Sequence, residues 1–276
     1  MAEWSSLIIY IPVDRMPMNT VISDKATHEI LLDVHRWTDA LFTIKTTRPA
    51  EYRFVPGQYA RLGLEIDGSM VWRAYSVVSS PADDYLEYYG VLVPDGLFTP
   101  RLTRLKAGDF VWTDKQPYGF MTADRFTDGE HLWMLATGTG IGPFISILRD
   151  PAVWKQFKEL ILVHCVRHAS ELSYSDELQA MAAASVQGQG ARLQYLRSAT
   201  RDNARPEGVL SQRITTLLEN GELEWASGLA MQPDISRIML CGNPQMIEDT
   251  RKLLHARDMR PVRRMQPGQF LTENYW

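Results

Sequence analysis

The 276-residue sequence predicts two units, an antiparallel β-barrel followed by a parallel-sheet α/β domain, and three observations carry that expectation. The chain exceeds the roughly 100–200 residues of a single domain and can bury two cores. Up to about residue 115, apolar residues alternate with polar ones and are punctuated by Asp-Gly and Pro-Gly turns. Beyond about residue 130, short apolar runs alternate with helical segments, as in a parallel sheet covered on both faces.

Residues 1–23 are read as an N-terminal extension and 24–125 as the barrel. Strands are expected at Glu29–His35 and Ala40–Thr46, then along the alternating Ala60, Leu62, Leu64 and Ile66. Asp67-Gly68 suits a hairpin turn into Val71–Val78. Tyr88–Val93 follows, and turns at Pro56-Gly57, Pro94-Asp95-Gly96 and Gly108-Asp109 complete about six strands at the spacing of a small barrel. Thr99–Lys106 is expected to be the barrel's one helix. In the second unit, 126–276, strands are placed at His131–Ala136, Leu160–Val166, Leu193–Leu196 and Arg237–Cys241. Helices are placed at Pro143–Arg149, Ser173–Ala184, Ser211–Leu218 and Gln245–Ala256.

Composition narrows the function classes. Hydrophobic residues make up 45% and charged residues 22%, and no run approaches the roughly 20 apolar residues of a membrane helix. The run Leu7–Ile11 has no basic flank or cleavage-site pattern, so a cytoplasmic protein without membrane association is expected, and a monomer. Cys165 and Cys241 stand alone in apolar runs, which argues against a metal or iron–sulfur site. Any redox centre must then be bound non-covalently. A net charge of −4 argues against nucleic-acid binding. Against that balance, Arg251, Lys252, Arg257, Arg260, Arg263 and Arg264 face only Asp258 within their segment, either as a solvated face or as a docking patch for an acidic partner.

Several segments bear chemistry. Thr137-Gly138-Thr139-Gly140-Ile141-Gly142-Pro143 lies where a strand ends and a helix begins, the junction at which free N–H groups receive a pyrophosphate; a tight turn explains it as well. Arg73 and Tyr75 share one face of a strand, placing a cation beside a ring, with a surface cation–π pair as the plainer reading. Gly96-Leu97-Phe98-Thr99 offers a turn and a hydroxyl to an anion, or an N-cap at Thr99. Cys241-Gly242-Asn243-Pro244-Gln245-Met246 is another strand–turn–helix junction. The terminal Tyr275-Trp276 would fray unless something flat packs against it.

Taken in order, Arg73-x-Tyr75-Ser76, Gly96-x-x-Thr99, Pro117-x-Gly119, the 137–143 segment, Cys241–Met246 and the terminal Tyr275-Trp276 resemble the bacterial ferredoxin/flavodoxin–NADP reductases. The resemblance spans about residues 24–276, and it implies FAD in the barrel and NADP in the α/β domain. It further implies that Arg73 neutralises the FAD pyrophosphate, that Ala74 belongs to the same FAD site, that Tyr75 stacks on the isoalloxazine, and that Ser76 lies near flavin N5. Val91 would run beside the flavin, Leu97, Phe98 and Thr99 would hold the pyrophosphate, Thr139 would lie under the ring, and Trp276 with Tyr275 would cover it. Ser76, Cys241 and Glu273 resemble the polar groups lining the hydride-transfer contact. For NADP, the resemblance points to Val166, Arg167, Thr200, Arg201, Arg213, Asn243, Pro244, Gln245 and Asp249. The family's Ser-Arg-Glu is here Thr200-Arg201-Asp202. The implied activity is electron transfer between NADPH and ferredoxin or flavodoxin. The reductase component of an oxygenase system and a flavin- or nucleotide-binding sensor without turnover are the alternatives.

Overall fold

The computed structural model describes residues 25–188, 190–264 and 266–274. The proposed extension over residues 1–23 and the terminal Tyr275-Trp276 pair lie outside the described residues. The first unit contains β1 (Ala26–Arg36), β2 (Leu41–Thr47), β3 (Tyr59–Ile66), β4 (Ser69–Ser76) and β5 (Tyr85–Val91). After these come the short α1 (Thr99–Leu102) and β6 (Phe110–Asp114). All pairings are antiparallel in the order β4-β3-β6-β1-β2-β5, and the Val77–Tyr88 bridge brings the two edges together into a barrel. Closure removes the unpaired edges that an open sheet would present. Asp67 (φ 51°) and Gly68 (φ 78°) both take positive φ, the type I′ geometry whose twist matches the strands they join. Phe42, Leu62, Leu86 and Tyr88 fill the interior, each contributing about 1.5–3 kcal/mol of burial.

The second unit contains β7 (His131–Thr137), α2 (Gly142–Leu148), α3 (Val153–Gln156), β8 (Glu159–Val166), α4 (Ser175–Ser185), β9 (Arg192–Ala199) and β10 (Val209–Leu210). It continues with α5 (Ile214–Glu219), α6 (Glu222–Ser227), β11 (Ser236–Gly242), α7 (Pro244–Ala256) and β12 (Phe270–Asn274). Its sheet is wholly parallel, in the order β10-β9-β8-β7-β11-β12. Residues from α2 and α4 pack on one face, and residues from α5, α6 and α7 on the other.

Some expected elements differ in extent. The helix expected over Thr99–Lys106 is one turn, because Lys106 N–H is taken by Asp109 Oδ2 and Gly108 N–H by the Leu31 carbonyl, which directs the chain into β6. The helix expected from Ser211 begins at Ile214, because Val209–Leu210 pairs with β9 and the Gln212 carbonyl accepts from Ser198 Oγ. The strand β12 carries the end of the chain onto the sheet beside β11. Thr99 is the first helical residue of α1, not its N-cap; its Oγ1 accepts Val93 N–H at 2.9 Å and closes the preceding turn.

Barrel and sheet share one apolar cluster in which Leu41, Val78 and Tyr89 meet Met134, Phe144 and Met239. A polar lock lies beside it. Arg149 reaches Glu87 of the barrel at 2.9 Å and Glu177 of α4 at 2.7 Å, and donates to the Val78 carbonyl. Burial alone disfavours the guanidinium charge, but the two carboxylates outweigh it and hold the group firmly protonated. The Tyr174 hydroxyl donates to Glu87 Oε1 and accepts from Thr43. Removing one partner from such a buried set typically costs about 3–5 kcal/mol, so the two units are held at a defined angle.

Candidate functional site

The chain runs from β7 outward through β8 and β9, then crosses back to place β11 on the other side of β7. At such a switch point the loops leaving neighbouring strands diverge and open a crevice at the carboxyl edge of the sheet. Here the 138–142 loop follows β7 and the 243–246 segment follows β11. They approach closely because both carry glycine. A Cβ at Gly242 (φ +127°) would collide with the Thr137 hydroxyl and carbonyl, and one at Gly140 with the Cys241 carbonyl. Asn243 N–H donates to Thr137 Oγ1 at 2.7 Å, tying the two strand ends together.

The crevice opens into a cleft of about 730 Å³, and every nucleotide-binding residue expected from the sequence lines it: Val166, Arg167, Thr200, Arg201, Arg213, Asn243, Pro244, Gln245 and Asp249. Strand pairing continues past β8 and β9 through Thr200 N–H to the Val166 carbonyl (3.1 Å) and Arg201 N–H to the Arg167 carbonyl (2.8 Å), which sets those two arginines side by side. Glu171 accepts from Arg167 N–H, and Asp202 accepts from Ala169 N–H while meeting His168 Nδ1 at 2.7 Å. Those carboxylates hold backbone. Among the described residues, no acidic group pairs with the guanidinium of Arg167, Arg201 or Arg213, and all three are exposed. Repelling cations without a counter-ion form a receptor for a multiply charged anion. Asn243 also caps α7, its Oδ1 accepting from Gln245 and Met246 N–H, and Gln245 donates to Asp249.

The expected catalytic residues come from opposite ends of the chain, yet a ring of contacts encloses them. Ser76 pairs in register with Tyr59, whose ring is 3.1 Å from where a Cβ at Gly119 would lie. That same Cβ would be 3.1 Å from Glu273 Oε1. Glu273 pairs in register with Cys241, a Cβ at Gly140 would strike the Cys241 carbonyl, and one at Gly142 would lie 3.6 Å from Ser76 Cβ. Ser76 Oγ and Glu273 Oε2 are buried without a hydrogen-bond partner among the described residues. Unpaired buried polar atoms are costly, and a site that meets a ligand is one reason to keep them. Desolvation alone pushes Glu273 up to about 7. Val91 and Thr139 line the cleft from its barrel and sheet sides.

The other expected flavin residues cluster beside Ser76. Arg73 and Ala74 are exposed, and Arg73 Nη1 donates to the Trp72 carbonyl. Tyr75 is 8% exposed and packs 6.1 Å from Phe98, itself buried, while Leu97 is exposed at the same turn. Thr99 completes that turn through Val93. The basic segment is less uniform than its sequence: Lys252 pairs with Glu248 and Asp249, and Arg257 with Glu224, while Arg260 lies 3.9 Å from Asp258. Arg251, Arg263 and Arg264 are exposed.

Two residues without an individual role in the sequence motifs also shape the site: Thr137, the first residue of the 137–143 segment, whose hydroxyl ties the two loops, and His164, fully buried with Nε2 3.0 Å from the Gly138 carbonyl. The signal for His164 was present: one imidazole in the otherwise apolar interior of Glu159–Val166. Among the described residues no helix is long and apolar enough to cross a membrane, and no cluster of three or more His, Cys, Asp or Glu side chains could hold a metal ion.

Residues 34–121 match the oxidoreductase FAD-binding domain and residues 134–252 the oxidoreductase NAD-binding domain. The chain is 46% identical over 244 residues to the flavodoxin/ferredoxin–NADP reductase of Shigella flexneri, covering 88% of this chain and 96% of that protein. It is 39% identical to the ferredoxin–NADP reductase of Pseudomonas aeruginosa, covering 89% and 95%. A crystal structure of a ferredoxin NADP⁺ reductase from Neisseria gonorrhoeae with bound FAD and NADP superposes with a TM-score of 0.86 at 37% identity, covering 92% of this chain and all of that one.

Proposed function

The chain belongs to the flavodoxin/ferredoxin–NADP reductase family, and from that premise we propose that it passes electrons between NADPH and an acidic ferredoxin or flavodoxin through FAD. The observation that carries the reading is a cleft at the carboxyl edge of the sheet whose lining holds three uncompensated arginines, with the buried, unpartnered hydroxyl of Ser76 and carboxyl of Glu273 beside the same two loops. The division falls around the Ala123–Arg125 turn, with an FAD unit over 24–125 and an NADP unit over 126–276.

The residues present fit both cofactors. In this reading Arg73 and the Leu97-Phe98-Thr99 turn hold the FAD pyrophosphate, and Tyr75, Val91 and Thr139 border the ring. The buried Ser76 Oγ supplies a hydrogen bond at the ring's edge. When bound, FAD accepts a hydride from nicotinamide and releases the electrons singly, a conversion that amino-acid side chains do not supply. The chain contributes position and electrostatics. Glu273, held largely neutral below pH 7, can carry a proton beside the transfer site, with the buried Cys241 next to it on the neighbouring strand. Arg167, Arg201 and Arg213 receive the phosphate that distinguishes NADPH from NADH, while Thr200, Asn243, Pro244, Gln245 and Asp249 shape the cleft around the nucleotide. Docking of the carrier falls to the exposed Arg251, Arg263 and Arg264. The protein acts as a monomer in the cytoplasm.

The absorption spectrum of the purified protein tests the reading. Bands of an oxidised flavin are expected, bleaching when NADPH is added without oxygen and returning with ferricyanide. A protein that stays colourless after incubation with FAD would overturn it.

A further inference from the structure

We propose that His164 is a positioning residue for the nucleotide cleft: its imidazole holds the Gly138 carbonyl inward, so that the Thr139 N–H is presented to the bound nucleotide. The inference rests on the reading that the nucleotide occupies this cleft, and it assigns a role to a side chain that does not itself line the cleft.

His164 is the sixth residue of β8, on the sheet face that carries Leu160 and Leu162, and is fully buried. Nε2 lies 3.0 Å from the Gly138 carbonyl, and Nδ1 lies 3.5 Å from the Tyr195 hydroxyl of β9. A carbonyl only accepts, so Nε2 carries the proton. Nδ1 is then an acceptor, and the Tyr195 hydroxyl donates to it, which selects that tautomer. Burial pushes the imidazole down to about 4, so the ring stays neutral at physiological pH and adds no charge beneath the cleft.

The consequence follows from peptide geometry. In a trans peptide the C=O of one residue and the N–H of the next point in opposite directions. Drawing the Gly138 oxygen toward His164 therefore aims the Thr139 N–H away from His164, and Gly138 and Thr139 both line the cleft. The 3₁₀ turn Gly138–Ile141 hydrogen-bonds along its own backbone, and Gly138 is in the left-handed region (φ +55°), where a Cβ would touch nothing within 4 Å; the imidazole adds a side-chain hydrogen bond to this peptide. Neither the 3₁₀ turn Gly138–Ile141 nor α2 has a side-chain cap.

The test compares the full-length FAD-containing protein with His164→Leu, which removes the donor, and His164→Gln, whose amide can still donate. Calorimetry gives the Kd for NADP⁺, with flavin content and melting temperature measured in parallel. His164→Leu is expected to bind NADP⁺ about 10-fold more weakly, the value of one hydrogen bond. His164→Gln should return to within about 3-fold of the parent, since it keeps the donor. Unchanged binding in His164→Leu overturns the proposal, and so does an equal loss in both variants, which would indicate packing alone. A parent that binds no NADP⁺ instead overturns the reading on which the proposal rests. If neither variant folds, ¹⁵N NMR of the parent at pH 7.5 decides: a neutral Nε2–H tautomer for His164 supports the assignment, and an Nδ1–H tautomer or an imidazolium overturns it.

Discussion

Replacing Glu273 by glutamine should stabilise the protein at pH 8 and leave it nearly unchanged at pH 5. Burial is what raises the carboxyl from its ordinary 4.5 to about 7, with no neighbouring charge adding to or opposing the shift. A difference of that size corresponds to about 3 kcal/mol for a fully buried group, and the side chain's partial contact with solvent reduces it to about 2. Because the folded-state value is raised, unfolding releases a proton between about pH 4.5 and 7. The favourable contribution is complete below the unfolded value and is lost as pH rises through 7. The parent should therefore lose about 2 kcal/mol from this group between pH 5 and pH 8. Glutamine keeps the shape and has no charge to desolvate, so its advantage should grow by the same amount. Urea unfolding of parent and Glu273→Gln at both pH values, with free FAD and salt held constant, measures the difference. An offset between the two proteins that does not change with pH would refute the reasoning, as would a variant less stable than the parent at pH 8. The same group should give NADPH oxidation an inflection near pH 7 that Glu273→Gln lacks.

Two further outcomes are expected. Arg201→Ala and Arg213→Ala should each lower kcat/KM for NADPH by about 10- to 100-fold, the worth of one charge-assisted hydrogen bond to a phosphate, while changing the NADH value less than about 3-fold; steady-state kinetics with both nucleotides would expose an equal loss. Arg263→Glu with Arg264→Glu should slow reduction of an acidic carrier about 10-fold at low ionic strength, as raised salt does in the parent, and leave ferricyanide turnover alone; stopped-flow rates across a salt series decide whether carriers dock there.

Much of the fold could be read in advance because each half follows one local rule. The alternation along Ala60–Ile66 and the positive-φ pair Asp67-Gly68 needed only nearest-neighbour sterics to specify a hairpin. The glycines at 138, 140 and 142 marked a strand–helix junction for the same reason. Helix starts and the last strand were less legible. Gln212 stays outside the helix because Ser198, 14 residues earlier, donates to its carbonyl, and β12 exists because β11 offers it an edge. Those partners are distant in sequence, and local propensity carries no information about them.

Residue types and their order determined by themselves the two-unit class and the glycine-rich turns at the strand–helix junctions beside the cleft. Only the tertiary structure decided what the side chains around the cleft became. Glu273 is an ordinary carboxylate in sequence, and its shift toward 7 arises because β12 carries it beside Cys241, out of water. Arg167 and Arg201 became neighbours, with no carboxylate paired to either guanidinium among the described residues, because β8 and β9 pair past their ends; Arg149, with the same side chain, is closed between Glu87 and Glu177. His164 reads as a single polar residue in a strand until the fold sets the Gly138 carbonyl above it. The physical reason is common to all three: charge state and hydrogen-bond partner depend on what surrounds a side chain in space, and chain order does not contain those surroundings until long-range packing has formed.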